Sequence, residues 1–245
     1  MSFASAPSTA ACPDIAGLDP CGHCAARGLS VCGALAEEGL RRLAALTEPL
    51  SLVPDQVLVR EGDPATHLLN ITSGTVRVSK LLPDGRRQIV GFLMAGDFLG
   101  LATGERYAFT AETIGAASAC RFSRTAYRKL LGELPALEAA LLERASHDLQ
   151  AAQNHILLLG RKTAMERLAS FLIDLSTRTA RAGGDATLID LPMTRSEIAD
   201  YLGLTLETVS RTMTRLKASG VVSLPSRRAA AIAAPGRLRA LSGEI

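Results

Sequence analysis

No stretch of this chain is long and apolar enough to cross a bilayer, and no charged-then-apolar signal segment opens it. A place in the cytoplasm, with no membrane partner, is therefore the expectation. The sequence also lacks a G-x-G-x-x-G and a G-x-S-x-G, so it has neither the dinucleotide loop nor the nucleophile elbow that many enzymes carry. An iron–sulfur or zinc redox enzyme would further want a substrate cleft with acid/base pairs, and the chain is read as a non-enzyme. Strong net charge is missing too, at only +3. A hydrophobic content of 47% with 21% charged residues excludes a disordered chain, and 245 residues suffice for two compact domains. The small charge is unevenly spread. Residues 161–245 carry 13 Lys/Arg against 8 Asp/Glu, and residues 1–160 carry 14 against 16, so the basic end is the one that counterion release from DNA would favour.

What is present at that end is MTRSEIADYLGLTLETVSRTMTRLKASG, residues 193–220, which reads as two helices joined by a tight turn. Thr194 and Glu197 have capping-box spacing. Ile198, Ala199 and Leu202 give the first helix an apolar face, and Gly203 supplies the permissive turn residue. Thr205 is a second N-cap, and Leu206, Val209, Met213 and Leu216 recur near 3.6 residues, as packing on the first helix requires. Between them stand Glu207, Ser210, Arg211, Thr214, Arg215 and Lys217. Short polar groups with one Arg at the helix start suit base edges, and Arg/Lys beyond them suit phosphates. The alternative is an ordinary helical hairpin with a solvated face. Val221–Leu224, the Ser226-Arg227-Arg228 turn and Ala230–Ala233 read as a wing, so Arg195, Arg215, Lys217, Arg227 and Arg228 are the expected phosphate contacts.

The other end opens with small residues and prolines, then CGHCAARGLSVCGAL, with Cys21, Cys24 and Cys32 spaced C-x2-C-x7-C. Cys12 lies upstream and Cys120 far downstream, an odd count. A reducing compartment disfavours disulfides, and three close cysteines suit one soft metal centre closed by a fourth. Zinc and a [4Fe–4S] cluster both take four thiolates, and spacing does not choose between them. The fourth ligand is Cys12 or Cys120. Holding Cys12 across the Pro13 and Gly17–Pro20 stretch costs chain entropy, whereas Cys120 falls in a strand-like run, on the face of Phe122. A plain core cysteine is the alternative there.

Between these ends, Leu35–Thr47 reads as an amphipathic helix. Short β-runs with turn signals follow: Val57–Arg60, Leu68–Thr72, Thr75–Leu81, Gln88–Leu93 and Ser118–Phe122. They predict a small antiparallel barrel or jelly roll. After Pro135 about 25 residues turn helical, with Leu142, Ala145, Leu149, Ala152, Ile156 and Leu159 at spacings of three and four, a coiled-coil seam for a homodimer. A helix lying on its own barrel would also show such a stripe. A dimer would present two recognition helices to a palindrome, about 34 Å per half-site apart. Gly160-Arg161 marks a hinge, followed by a helix at Thr163–Thr179 and a strand at Leu188–Leu191.

In this order the pieces resemble the CRP/FNR superfamily of bacterial transcription regulators over nearly the whole chain. Within it, the chain resembles the FNR-type oxygen sensors, FnrL and FnrN among them. The cysteine pattern, ILLLGRKTAMERLASFL and LGLTLETVSR carry the resemblance. It implies an α+β fold: a cyclic-nucleotide-binding-like β-barrel (35–133) after an arm and cysteine loop (1–34), a long dimerisation helix (134–160) and a winged helix-turn-helix (161–245). It implies a [4Fe–4S] cluster on Cys21, Cys24, Cys32 and Cys120, and double-stranded DNA read at a TTGAT-N4-ATCAA-like palindrome through Glu207, Ser210 and Arg211. RNA polymerase is the further expected partner, for an activator. A FixK-like regulator without a cluster is the alternative. Two departures stand out. Leu101 and Tyr107 occupy the places of the family's ribose-binding glutamate and phosphate-binding serine, so no cyclic nucleotide is expected. Ala152 replaces an acidic seam residue of enterobacterial FNR, a gate that Asp148 would have to supply.

Overall fold

The computed structural model describes residues 21–22, 24–101 and 104–243; the N-terminal arm and Cys12 lie outside them. Two compact units divide the chain. The first takes in residues through Lys80 and Gly91–His147, and the second Leu81–Val90 and Asp148–Ile245.

The first unit begins with two 3-10 turns, Arg27–Leu29 and Val31–Ala34, and helix α1, Glu37–Ala44. The predicted helix from Leu35 to Thr47 is therefore shorter, because Thr47 already opens strand β1. Eight strands follow: β1 (Thr47–Leu52), β2 (Val57–Val59), β3 (His67–Ser73), β4 (Val76–Leu81), β5 (Arg87–Leu93), β6 (Phe98–Leu99), β7 (Thr110–Thr113) and β8 (Ala117–Ser123). They form two four-stranded sheets, ordered β1-β8-β3-β6 and β2-β7-β4-β5. Between the sheets lies an apolar core of Leu69, Ile71, Val76, Val78, Leu99, Tyr107, Ala111 and Ala119. Strands alternate their side chains between faces, so the neighbours of these residues on β3 and β8, Leu68 and Phe122, point the other way. That second face is covered by Leu40 and Leu43 of α1, by Tyr127 and Leu130 of helix α2 (Arg124–Glu133), and by Leu137 at the start of helix α3 (Pro135–Arg161). Burial on both faces leaves every residue of β3 after His67 buried, the polar Asn70, Thr72 and Ser73 included.

In the second unit, α4 (Ala164–Arg181) starts at a capping box in which Thr163 and Glu166 hold each other's backbone. At Gly160-Arg161, where a hinge is expected, α3 is still helical through Arg161, and the Thr163 cap separates it from α4. Strand β9 (Leu188–Asp190), helices α5 (Arg195–Leu202) and α6 (Leu206–Ala218), strands β10 (Val222–Ser226) and β11 (Ala229–Ile232) and helix α7 (Pro235–Leu241) complete it. Its sheet runs β10-β11-β9, with the Arg227-Arg228 turn at the tip of the wing. Among the described residues, no helix is long and apolar enough to cross a membrane.

Candidate metal centre and nucleic-acid interface

Cys120 sits in the middle of β8, directly opposite Asn70 on β3 and Pro49 on β1. Residues so paired share a face, and this is the helix-covered face that also carries Phe122. Here the chain closes a cavity of about 40 Å³ lined by Cys21, Cys24, Cys32 and Cys120 together with Arg27, Asn70 and Phe122. The cysteine stretch is held there by local structure. The Arg27 amide donates to the Cys24 carbonyl at 3.0 Å, and Ser30 caps the second 3-10 turn by accepting from the Cys32 amide at 3.3 Å. Ala26 and Val31 are buried beneath. Gly96, at φ +92°, lets the segment lie close: a Cβ there would stand 2.6 Å from the Leu29 carbonyl oxygen.

Burial pushes the Cys32 thiol up, opposed by the Ser30 hydrogen bond, while nearby Cys24 raises it further and Arg27 lowers it. Thiolates in so apolar a place need a positive centre to be stable. Two buried polar atoms in the same region lack any hydrogen-bond partner, Asn70 Oδ1 and Tyr127 Oη. Four converging thiols beside unsatisfied polar groups fit a sulfur-ligated group. Among the described residues, no group of three or more His, Cys, Asp or Glu side chains is arranged to hold a metal ion.

The cysteines also share an apolar cluster with the long helix. Cys21, Cys32 and Cys120 pack against the residues that bury Leu137, as do Ala140 and Leu141. Arg144, one turn on, donates to Asp97 at 2.7 Å and to the Gly96 carbonyl at 3.4 Å. Sequence patterning gave no hint of this bracket, because Arg144 stands on the polar side of the seam. Of the seam residues, Leu142, Leu149 and Ile156 are 70%, 61% and 69% exposed, and Ala145 and Ala152 are exposed as well. Leu159 departs from the stripe. It is half-buried, and its Cδ2 would lie 3.2 Å from a Cβ built on Gly203.

At the helix-turn-helix, Thr194 accepts from the Glu197 amide at 3.2 Å and Glu197 accepts from the Thr194 amide at 2.7 Å. Gly203 ends α5 in the left-handed region at φ +61°, and Thr205 caps α6 through the Thr208 amide at 3.1 Å. Arg167 ties the turn down by donating to the carbonyls of Leu159, Lys162 and Leu202 at 2.7–2.9 Å. Glu207, Ser210 and Arg211 lie on the exposed face of α6, where Arg211 stands 3.5 Å from Glu207. Arg215, Lys217, Arg227 and Arg228 are exposed too. One expectation needs correction. Leu206 is 52% exposed; the buried face of α6 is Val209, Thr212, Met213 and Leu216, which keeps the 3–4 spacing without it. Arg195, at the first position of α5, is half-buried, and its Nη1 is buried without a partner. In the barrel, Tyr107 is a core residue whose hydroxyl donates to the His67 carbonyl at 2.8 Å.

Residues 49–134 match the family described as cyclic nucleotide-binding domain, and residues 166–241 that described as Crp-like helix-turn-helix domain. The transcriptional activatory protein AadR of Rhodopseudomonas palustris is 40% identical over 80% of this chain and 82% of its own. The transcriptional activator protein FnrL of Cereibacter sphaeroides is 35% identical over 86% of this chain and 87% of its own. The solved structure of FixK2 from Bradyrhizobium japonicum superposes with a TM-score of 0.75 at 37% identity, covering 80% of this chain and 96% of that one. With both domains matched in order and relatives aligned over four-fifths or more of its length, the chain belongs to the CRP/FNR superfamily of DNA-binding transcription regulators.

Proposed function

We propose that this regulator responds to oxygen through a [4Fe–4S] cluster held by Cys21, Cys24, Cys32 and Cys120, and binds a palindromic promoter site as a homodimer in the cytoplasm. The observation that carries the reading is the convergence of these four cysteines, from a loop and a distant strand, on one apolar cavity. When bound, the cluster supplies an oxygen-labile centre joined to the protein by four thiolates. Cys21, Cys24 and Cys32 tie the loop, and Cys120 anchors it to β8. Arg27 offsets their negative charge. The same apolar cluster takes in Leu137, Ala140 and Leu141, so the packing of the loop bears on the first turns of α3. The exposed stripe of Leu142, Ala145, Leu149, Ala152 and Ile156 supports dimerisation through that helix.

Glu207, Ser210 and Arg211 read base edges of a TTGAT-type half-site, and Arg215, Lys217, Arg227 and Arg228 meet phosphate. RNA polymerase is the partner once DNA is bound. A cyclic nucleotide is not the effector, because the Tyr107 ring fills core space where a phosphate donor would stand.

FixK2 is a relative as similar as FnrL, which favours a second reading in which the cysteines carry no cluster. Anaerobic reconstitution with iron and sulfide analysis separates the two. The cluster reading expects four irons and four sulfides per chain, a brown chromophore, and DNA binding that air abolishes. Cys120→Ser should lose chromophore and anaerobic DNA binding, while Cys12→Ser keeps both. DNA binding by an iron-free protein, unchanged in air, would establish the FixK-like reading instead.

A further inference from the structure

We propose that Asn70 and Tyr127 are hydrogen-bond donors to the sulfurs of this centre and set how readily it is oxidised; the inference rests on the cluster reading above. Asn70 is 2% exposed, lines the cysteine cavity, and stands across the sheet from Cys120. Its Oδ1 is buried with no partner. Leaving a buried acceptor or donor unmade costs on the order of 1–3 kcal/mol, and a leucine would fill the same space without that cost. An amide carries two donors on the other arm, and a flip about its terminal torsion exchanges the arms. Turned so, Asn70 presents N–H to the cavity and to whatever anionic sulfur occupies it.

Tyr127 repeats the pattern from a different element. It is 0% exposed on α2, its ring tilted against Phe122 and Phe98 at centroid distances of 5.3 and 6.0 Å. A phenylalanine would pack there equally well, yet a hydroxyl is present, and it too has no partner. Burial pushes the Tyr127 phenol up, and Cys32 acts in the same direction. Asn70 lines the cysteine cavity, and Tyr127 belongs to the apolar cluster against which Cys21, Cys32 and Cys120 pack. Elsewhere on the same two strands, buried hydroxyls satisfy one another: Thr72 and Ser73 each bond Ser118, at 2.6 and 2.7 Å. Among the described residues of this unit, the buried side-chain atoms without a partner are thus on Asn70, at the cysteine cavity, and Tyr127, in the cluster the cysteines pack against.

Hydrogen bonds to cluster sulfurs withdraw electron density and favour the reduced form. Asn70→Leu and Tyr127→Phe in the full chain, reconstituted anaerobically, should keep iron and sulfide content. Each should move the midpoint potential to more negative values by about tenfold in the couple's equilibrium constant, about 59 mV for one electron. Each should also shorten cluster lifetime in air-saturated buffer. Ser118→Ala, which breaks a hydroxyl network away from the cavity, should leave both readouts unmoved. If Asn70→Leu fails to load iron, Asn70→Gln, which keeps the amide donor, must restore loading; a Gln variant no better than Leu would overturn the donor role. Loaded variants with wild-type potential and lifetime would overturn it as well, as would an equal shift from Ser118→Ala. A wild-type chain that takes up no iron and sulfide sinks the cluster reading itself, a result distinct from all of these.

Discussion

Gly96→Ala isolates how the cysteine segment is docked on the barrel. Gly96 holds φ +92°, and an added Cβ would meet the Leu29 Cβ and carbonyl oxygen, each at 2.6 Å. Both obstacles are close to the backbone, so no side-chain rotation relieves them. Two costs follow. A left-handed backbone on a residue with a Cβ costs roughly 1–2 kcal/mol. Overpacking adds about 1–3 kcal/mol, limited by what it costs the segment to peel away, since that uncovers Val31 and Leu35. Gly62 supplies the control. Its φ is +88°, and a Cβ added there would have nothing within 4 Å, so Gly62→Ala carries the strain alone. For a chain of this size each kcal/mol moves Tm by about 2–4 °C. Gly62→Ala should thus lower Tm by roughly 2–8 °C and Gly96→Ala by several degrees more. Limited proteolysis under native conditions should cut Gly96→Ala within residues 24–35 well before Gly62→Ala. Equal Tm losses and equal cleavage for the two variants would refute the docking.

Arg211→Ala should cost about 1–3 kcal/mol at a specific operator and relax preference at one base pair, whereas Lys217→Ala weakens all sequences alike; titrations on operator and random DNA distinguish the two, and equal losses on both for Arg211→Ala would disprove base reading. Ala152→Asp puts like charges across a two-fold seam, so sedimentation should show more monomer and weaker operator binding, and an unchanged dimer would move the seam elsewhere on α3. His155, stacked on Tyr201 at 4.3 Å with neither ring nitrogen bonded, is held below the usual imidazole value by burial and then by Arg167. The unfolded chain then binds the proton first as pH falls, so this contribution is whole above about pH 6.5 and is lost below it. The wild-type Tm should accordingly drop more between pH 7.5 and 5.5 than that of His155→Phe, and parallel curves would refute the assignment.

Local pattern determined much of this molecule. Thr194, Glu197, Gly203 and Thr205 announce the helix-turn-helix because caps and a left-handed turn residue act over three or four residues. The long helix and the wing are legible for the same reason, and the alternation around Cys120 correctly put it on the face of Phe122. Short strands escaped notice. The two residues of β6 and the four of β7 carry too little periodicity, and helix α2 follows β8 without a capping hydrogen bond at Ser123.

The sequence by itself determined the order of the domains, the cysteine spacing and the polar triplet on α6, since each is written in neighbouring residues. Only the tertiary structure decided that Cys120 lines one cavity with the loop cysteines nearly a hundred positions upstream. It also decided that Asn70 buries an unmatched polar atom beside them and Tyr127 another in the apolar cluster they pack against, that Arg144 brackets Asp97, and that Leu206 stays exposed. These depend on which faces the sheet and helices bring together, and no periodicity along one segment encodes the identity of its partner across the core.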